Sequence, residues 1–526
     1  MSNVLNIIRS LVIYSLCLPL AIYLGYSLAM PFDMASFTIL VAALFLPLLP
    51  ILLRWHHLLL FACWNTSMVL FFLPGRPNLW MIMTAVSLML SILQHILNRN
   101  IKFLSVPSVT RPLIFLVLVI LITAKLRGGF GLQTMGGESI GGKRYILLLA
   151  AIMGYFAMTC YRVPEGKSHA YVAVFLLSTL TAIVGSLAPY VDSSFYRIFL
   201  FFPVDNIAAL YSSSPAEGLS LRLSGLTFAC LAIVSFVLAR HGVRGLFGLG
   251  EPWSFVPIRL RGGFGLNHPW RLLVFLAMIW MALMGGYRSV ATVMALTFFF
   301  QFYFEGLFRT QLLPVVVLGG VLVVAISLPM VNRLPITIQR SLSFLPIEVD
   351  AEARYSSEAS SEWRLRMWRE LLPSVPQYLV LGKGYAINPL ELTMVTDDAA
   401  RMGGSSVESV IMVGGYHNGP LSVIIPLGIF GALGFVWFVV AGFRLLLSNF
   451  RHGDADLLQI NTFLLSYFLA RLFEFFTVFG SLYDEMTIFT GLIGLSASLN
   501  GGLRKPAPVV FEKPAFSQLR LARATR

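Results

Sequence analysis

The chain has 526 residues, of which 57% are hydrophobic and only 12% are charged, with a mean hydropathy of +0.80. Soluble domains carry about 25% charged residues, so this composition excludes a soluble protein and predicts a polytopic membrane protein. The net charge of +14 indicates basic loops and contacts with anionic lipid phosphates. The sequence has no basic patch with interleaved aromatic residues, so it does not indicate a nucleic-acid partner.

The four cysteines lie in or beside apolar runs, without the spacing of metal ligands, and predict neither a metal site nor a disulfide framework. Apolar runs of spanning length predict an all-α fold with about 14 transmembrane helices. The first run, followed by no clear cleavage site, is expected to be a retained helix. In chain order the runs lie near residues 11–29, 37–53, 57–73, 78–97, 112–124, 145–161, 170–188, 223–240, 271–287, 289–305, 311–330, 419–446, 457–479 and 485–500.

Loop charges predict the orientation. Because an even number of spans places both termini on one side, and because most short loops and the tail are basic, the positive-inside rule predicts two cytoplasmic termini. The chain then divides into N-terminal helices (1–188), a helical core (189–500) with a long outer loop (331–418), and a basic cytoplasmic tail (501–526).

A second outward segment, 127–144, is glycine-rich and carries several cations, including Lys143 and Arg144. Positive charge on the outer side opposes the positive-inside rule. Either the predicted topology is wrong there or the cations are retained for a purpose, and the sequence leaves both interpretations open.

The strongest candidate for chemistry is a polar interruption, Gly414-Gly415-Tyr416-His417-Asn418-Gly419, between the outer loop and a long apolar run. It places an imidazole and a carboxamide where a membrane span begins. Histidine is the side chain that most readily exchanges protons near neutral pH. A catalyst that acts on a lipid-borne substrate requires a base at this depth.

Three arginines accompany this histidine on the predicted outer side. Arg222 begins the eighth span, Arg288 lies between two spans, and Arg364 belongs to a predicted amphipathic helix capped near Ser360. Trp368 shares a helix face with Arg364. The arginines either contact lipid head groups at the interface, which is the common role, or converge on one anionic group.

Arg471 and Glu474 lie inside the thirteenth predicted span, three residues apart and therefore adjacent on a helix. Charged residues inside a membrane usually face the protein interior and pair. A structural ion pair is the favoured interpretation, and support of a catalytic site is the alternative.

The order of these features resembles the O-antigen ligase and polymerase superfamily of bacterial membranes over roughly residues 200–500. The resemblance rests on a long outer loop before a histidine and on four short motifs. The motifs are Arg222-Leu-Ser-Gly225, Tyr287-Arg288-Ser289, Arg364-x-x-x-Trp368 followed by Gly382-x-Gly384, and His417-Asn418-x-x-Leu421 with Gly428-x-x-Gly431.

This resemblance implies a GT-C-like helical fold and a metal-independent, inverting glycosyltransferase of the bacterial inner membrane that needs no cofactor. Its donor would be a glycan on undecaprenyl pyrophosphate at the periplasmic side. The acceptor would be a growing glycan or lipid A core, and other polysaccharide assembly proteins are possible partners. By motif, His417 would be the general base, Arg222 and Arg364 would bind the pyrophosphate, and Arg288 would assist. Asn418, Lys143, Arg471 and Glu474 are expected as supporting residues.

Two other functions remain open from the sequence. A polysaccharide transporter or flippase would also have many spans and buried charges, but inverted repeats with broken helices at matching positions are not evident. A non-catalytic component of a polysaccharide secretion system could use the basic tail to dock a partner. For such a component, replacement of His417 would leave glycan output intact, whereas absence of transport in proteoliposomes with glycan transfer retained would exclude the transporter.

Overall fold

The computed structural model describes residues 34–73, 75–98, 103–129, 141–204, 223–248, 268–343, 347–401 and 407–506. Within these ranges the chain is almost entirely helical and contains no β-strand, which confirms the predicted all-α class. Arg222, the first predicted span (11–29) and most of the basic tail lie outside the described residues. The chain divides into two units, Met1–Leu59 and Leu60–Arg526.

The helices up to the outer loop are α1 (Met34–Cys63), α2 (Leu79–Leu97), α3 (Pro107–Arg127), α4 (Gly142–Met158), α5 (Ser168–Ser186), α6 (Ser224–Leu246), α7 (Pro269–Met284), α8 (Arg288–Phe304) and α9 (Leu312–Ser327). The outer loop contains α10 (Ile336–Leu342), α11 (Ala351–Leu371), α12 (Pro389–Arg401) and α13 (Val407–Met412). The chain then continues through α14 (Gly419–His452), α15 (Leu458–Thr477) and α16 (Leu482–Asn500).

Six described helices are long and apolar enough to cross a bilayer: α2, α3, α5, α6, α9 with its extension to Val331, and α14. A helix needs about 20 predominantly apolar residues to span the hydrocarbon core. These helices identify the chain as a membrane protein.

One predicted span, 57–73, is wrong as an independent helix. Helix α1 ends at Cys63, and residues 64–78 form turns closed by a bridge between Val69 and Asn78. Proline lacks the N–H that helix continuation requires, so Pro77 opposes helix in this stretch. In addition, the Ser67 N–H donates to the Thr181 hydroxyl oxygen at 3.0 Å. Residues 68–73 are apolar, which explains why hydropathy alone suggested a span.

The last three helices form the centre of the larger unit. Helix α14 packs on α15, α16 and α3, while α15 also packs on α8 and α16 also packs on α4. The rings of Phe435, Phe475 and Phe489 meet there, with centroids 5.1–6.2 Å apart, and all three side chains are buried. Such aromatic pairs contribute about 0.5–1.5 kcal/mol each beyond the burial of their area.

Helix α14 is broken nine residues after it begins. Gly428 has φ +66° and ψ −164°, and Pro426 lies two residues before it. A β-carbon at Gly428 would lie 2.5 Å from the Val380 carbonyl oxygen. The break therefore requires glycine, both for its left-handed backbone and for the close approach of the outer loop.

The outer loop replaces the hydrogen bonds that α14 loses at this break. Backbone N–H groups of the loop donate to α14 carbonyls, and one N–H of α14 donates to a loop carbonyl. The exchanged bonds run from Lys383 to Ile425 at 2.7 Å, from Gly384 to Pro426 at 3.0 Å, and from Ile429 to Leu379 at 2.6 Å. The Gly382-x-Gly384 motif is thus a structural turn that attaches the outer loop well inside the length of α14.

Candidate functional site

The polar interruption forms a tight connection between α13 and α14. His417 has φ +49°, a conformation that is uncommon for residues other than glycine. Strain of this kind costs about 1–3 kcal/mol and is concentrated at functional sites. The Asn418 side chain accepts a hydrogen bond from the Leu421 N–H at 3.0 Å and so caps α14. Asn418 therefore holds the histidine at the first turn of the helix.

Two aromatic rings enclose the His417 imidazole. The Trp363 ring lies 5.4 Å away edge-on, and the Phe479 ring lies 5.1 Å away, between centroids. Burial lowers the pKa of His417 below its usual value, and the nearby Arg364 charge lowers it further. The imidazole is thus neutral near pH 7, which is the state in which it can accept a proton.

Helix α11 brings Arg364 to this histidine. The helix begins at Ala351 with Asp350 as its cap, whose carboxylate accepts from the Glu352 N–H at 2.9 Å. The cap predicted near Ser360 is therefore wrong, because the polar run before it also has helix-forming residues. Trp368, on the same face as Arg364, donates its indole N–H to the Tyr416 carbonyl at 3.1 Å.

An apolar cluster packs α11 against the start of α14, next to the site. Its buried members come from α11, from the connection before α14 and from α14 itself, and they are Met367, Leu371, Tyr416, Leu421 and Ile425. A fully buried side chain of this size contributes about 1.5–3 kcal/mol. The cluster fixes Arg364 and His417 on elements that pack together, although 53 positions of sequence separate them.

Arg144 is a site residue that the sequence did not single out. Its guanidinium lies over the rings of Tyr385, 5.8 Å away, and Tyr483, 5.1 Å away. A β-carbon at Gly414 would lie 2.8 Å from one of its nitrogens, so the connection before His417 runs directly beside it. The only sequence signal was the excess of cations in the glycine-rich outer segment.

Three half-buried cations lie around the connection that carries His417 and the Gly382-x-Gly384 turn. They are Arg364, Arg144 and Lys383. Burial lowers the pKa of Arg364 and of Lys383, although Glu391 partly offsets the effect at Lys383. Within the described ranges, none of the three has a carboxylate oxygen within 4.0 Å. These half-buried charges are only partly offset, by Glu391 near Lys383 and by Asp484 near Arg144, so the arrangement favours an anionic ligand.

The remaining predicted cations make other contacts or lie outside the described residues. Lys143 is exposed, and its ammonium donates to the Arg76 carbonyl at 3.4 Å. Arg288 is the first residue of α8, and its neighbour Ser289 lies beside the Glu474 carboxyl. Arg222 lies outside the described residues, so its predicted contact with the same anion stays a prediction.

The predicted ion pair between Arg471 and Glu474 is present, with 2.6 Å between Nη1 and Oε2. Arg471 also bonds Glu485, a partner that sequence spacing could not reveal. The Glu474 carbonyl accepts the N–H groups of Val478 at 2.9 Å and Phe479 at 3.0 Å. The ion pair is therefore hydrogen-bonded, through the backbone of Glu474, to the turn that contains Phe479, whose ring contacts His417.

Among the described residues, no group of three or more histidine, cysteine, aspartate or glutamate side chains is placed to hold a metal ion. The cations that the structure places at this site are guanidinium and ammonium groups. Neither a protein-family model nor a curated protein sequence matches this chain.

Proposed function

We propose that this protein is a multi-pass glycosyltransferase of the bacterial inner membrane. It would transfer glycan from undecaprenyl pyrophosphate at the periplasmic side, with inversion and without a metal. The observation that carries the proposal is the half-buried imidazole of His417, whose pKa is lowered by burial and by Arg364, a guanidinium without a carboxylate partner among the described residues. A base next to an anion site is what attack on a phosphate-activated sugar requires.

The proposed reaction is a single displacement. His417 takes the proton of an acceptor hydroxyl while its oxygen forms a bond to the anomeric carbon of the donor sugar. The bond from that carbon to the pyrophosphate breaks, and the pyrophosphate leaves with its electron pair. Arg364 and Arg144 stabilise the growing charge, with Arg222 and Arg288 as further cations by motif. Because the oxygen attacks opposite the leaving group, the anomeric configuration inverts.

The acceptor defines two versions of this proposal. A polymerase would join the donor glycan to another repeat unit, whereas a ligase would transfer a finished chain to lipid A core. Both versions use the same base and the same anion site, so the mechanism does not depend on the choice.

The proposed topology places the His417 end of the bundle in the periplasm and the Asp454 end in the cytoplasm. Helix α1 takes the place of two predicted spans, which changes the parity of the proposed 14-span, GT-C-like arrangement. The cytoplasmic C-terminus still follows from the basic residues near Arg504. The prediction of a cytoplasmic N-terminus rests on an even number of spans.

Glycan output in cells tests the proposal. We expect His417→Ala to abolish long glycan and to cause the lipid-linked precursor to accumulate, at unchanged membrane abundance. His452→Ala is the matched control, because His452 is exposed and lies at the other end of α14. Normal glycan from the His417→Ala cells would favour a transporter or a non-catalytic component.

A further inference from the structure

Three charged side chains meet in the interior between α15 and α16. Arg471, Glu474 and Glu485 are 7%, 2% and 4% exposed. Arg471 bonds Glu474 through Nη1 at 2.6 Å and Glu485 through Nη2. If both carboxyls were ionised, one cation would face two anions in a low-dielectric interior. An uncompensated buried charge is strongly unfavourable, and such a group is neutralised by a proton instead.

Arg471 is the cation that acts on both Glu474 and Glu485 in the part of the chain that the structure describes. Tyr467 is the other titratable side chain of α15 that acts on Arg471. At the start of α16, Asp484 is exposed, and Arg144 of α4 acts on that carboxyl. Helix α8 contributes the Ser289 hydroxyl, and α14 contributes the Ser422 hydroxyl, which accepts the Leu482 N–H at 3.0 Å.

The hydrogen bonds distinguish the two carboxyls. Glu474 pairs with Arg471 and has the Ser289 hydroxyl beside it, which favours its ionised form. Glu485 bonds Arg471 through Oε1, whereas its Oε2 is buried and has no hydrogen-bond partner among the described residues. Glu474 and Asp484 are like charges next to Glu485. Burial, the unpartnered Oε2 and the two like charges favour the neutral form of Glu485, and they act against the bond to Arg471, which favours the ionised form.

We propose that Glu485 is a proton-binding site: it takes a proton from water and holds it at neutral pH, while Arg471 and Glu474 form the ionised pair. Arg471 also lines a cavity of about 140 Å³ with Asn65, Ser235 and Tyr467. That volume is large enough for several water molecules beside Arg471, whereas Glu485 does not line the cavity and is connected to it through its bond to Arg471. This proposal does not depend on the transferase assignment.

The proton couples to the His417 site through a short segment. Residues 478–481 connect α15 to α16 and include Phe479, whose ring packs on His417, while Glu474 and Glu485 lie in the helix ends on either side. Loss of the proton would place like charges on Glu474 and Glu485, at the two helix ends next to this connection. We expect the α15–α16 connection to loosen as the pH rises, and the contact between Phe479 and His417 to loosen with it.

Infrared spectroscopy of the purified full-length protein tests the proposal directly. We expect the carbonyl stretch of a protonated carboxylic acid at neutral pH, lost in Glu485→Gln and retained in Asp484→Asn. By linkage, the melting temperature of the wild type should fall as the pH rises from the ordinary glutamate value of 4.5 through neutral, because the folded state holds a proton that the unfolded state has released. Glu485→Gln should remove that fall and unfold at or above the wild-type temperature at neutral pH, because a neutral amide replaces a neutral acid in the folded state and cannot ionise in the unfolded state.

Glu474→Gln is the matched comparison. It removes the ionised partner of Arg471 and forces Glu485 to ionise, so it should lower the melting temperature at neutral pH more than Glu485→Gln does. The proposal is overturned if the wild type lacks the acid band or if the band persists in Glu485→Gln. It is also overturned if Glu485→Gln fails to accumulate in membranes or is less stable than Glu474→Gln.

Discussion

At the scale of single residues, His417 combines three features that rarely occur together. Its backbone is left-handed, its ring is enclosed by Trp363 and Phe479, and Arg364 lies close enough to lower its pKa. A cation beside a base weakens that base, so its presence needs another reason. Binding of an anionic leaving group supplies that reason.

The pH dependence of transfer follows from the lowered pKa of His417. The neutral form is the active base, and it is lost as the pH falls through the lowered pKa. We therefore expect the acidic limb of kcat/KM to lie below pH 6.5, the ordinary value for histidine. A rate profile measured with purified protein checks this, and a limb above pH 6.5 would contradict it.

Replacement of Arg364 tests two effects of this side chain, its stabilisation of the leaving group and its lowering of the His417 pKa. Arg364→Gln should lower kcat/KM by about 10²–10³, the usual cost of removing a group that stabilises developing negative charge. It should also raise the pKa of His417 and move the acidic limb to higher pH. Arg366→Gln, an exposed arginine on the same helix, is the control. A loss of rate with an unmoved limb would show that Arg364 does not act on His417.

The sequence predicted part of this residue set. His417 and Arg364 could be predicted because they lie in short motifs within one outer loop. Arg144 could not be selected, because its role depends on the packing of α4 against a turn more than 200 positions later. Glu485 was missed for the same reason: only the meeting of α15 and α16 brings it to Arg471.

At the scale of elements, the break in α14 connects the membrane helix to the outer loop. Pro426 and Gly428 interrupt the helix, and the loop supplies the replacement hydrogen bonds. Proline within an apolar run indicates a kink from sequence alone. The donors at Lys383 and Gly384 could not be foreseen, since no local pattern specifies which loop pairs with which carbonyl.

Gly428→Ala tests the importance of this break. An alanine there would adopt a strained positive φ and place its β-carbon 2.5 Å from the Val380 carbonyl oxygen. We expect a destabilisation of about 1–3 kcal/mol or more, seen as a lower melting temperature. Gly319→Ala in α9 is the matched control, because a β-carbon there meets no atom within 4 Å. Equal melting temperatures of the two variants would contradict this account of α14.

At the scale of the whole molecule, the bundle has two chemically different ends. One end contains His417, Arg364 and Arg144. The other contains Asp454, which bonds Arg162 at 3.2 Å and Arg504 at 2.8 Å. Hydropathy was enough to predict most of the helices between them. Hydropathy wrongly predicted a span at 57–73, where an apolar stretch forms turns that are stabilised by side-chain hydrogen bonds.

The orientation of the two ends can be measured by cysteine labelling. In a variant whose native cysteines are replaced by serine, Arg366→Cys should react with a membrane-impermeant maleimide in intact spheroplasts. His452→Cys should react only after permeabilisation, since both side chains are exposed but lie toward opposite ends. The reverse labelling pattern would place the His417 site in the cytoplasm and exclude a periplasmic donor.

Cleavage of the donor by the purified protein in liposomes is the most direct measurement of the central claim. We expect the wild type to release undecaprenyl pyrophosphate from a lipid-linked glycan when acceptor is present, with transfer retained in a metal chelator. His417→Ala, folded and reconstituted to the same density, should lose this release. Equal release by His417→Ala and the wild type would contradict the assignment of His417 as the base.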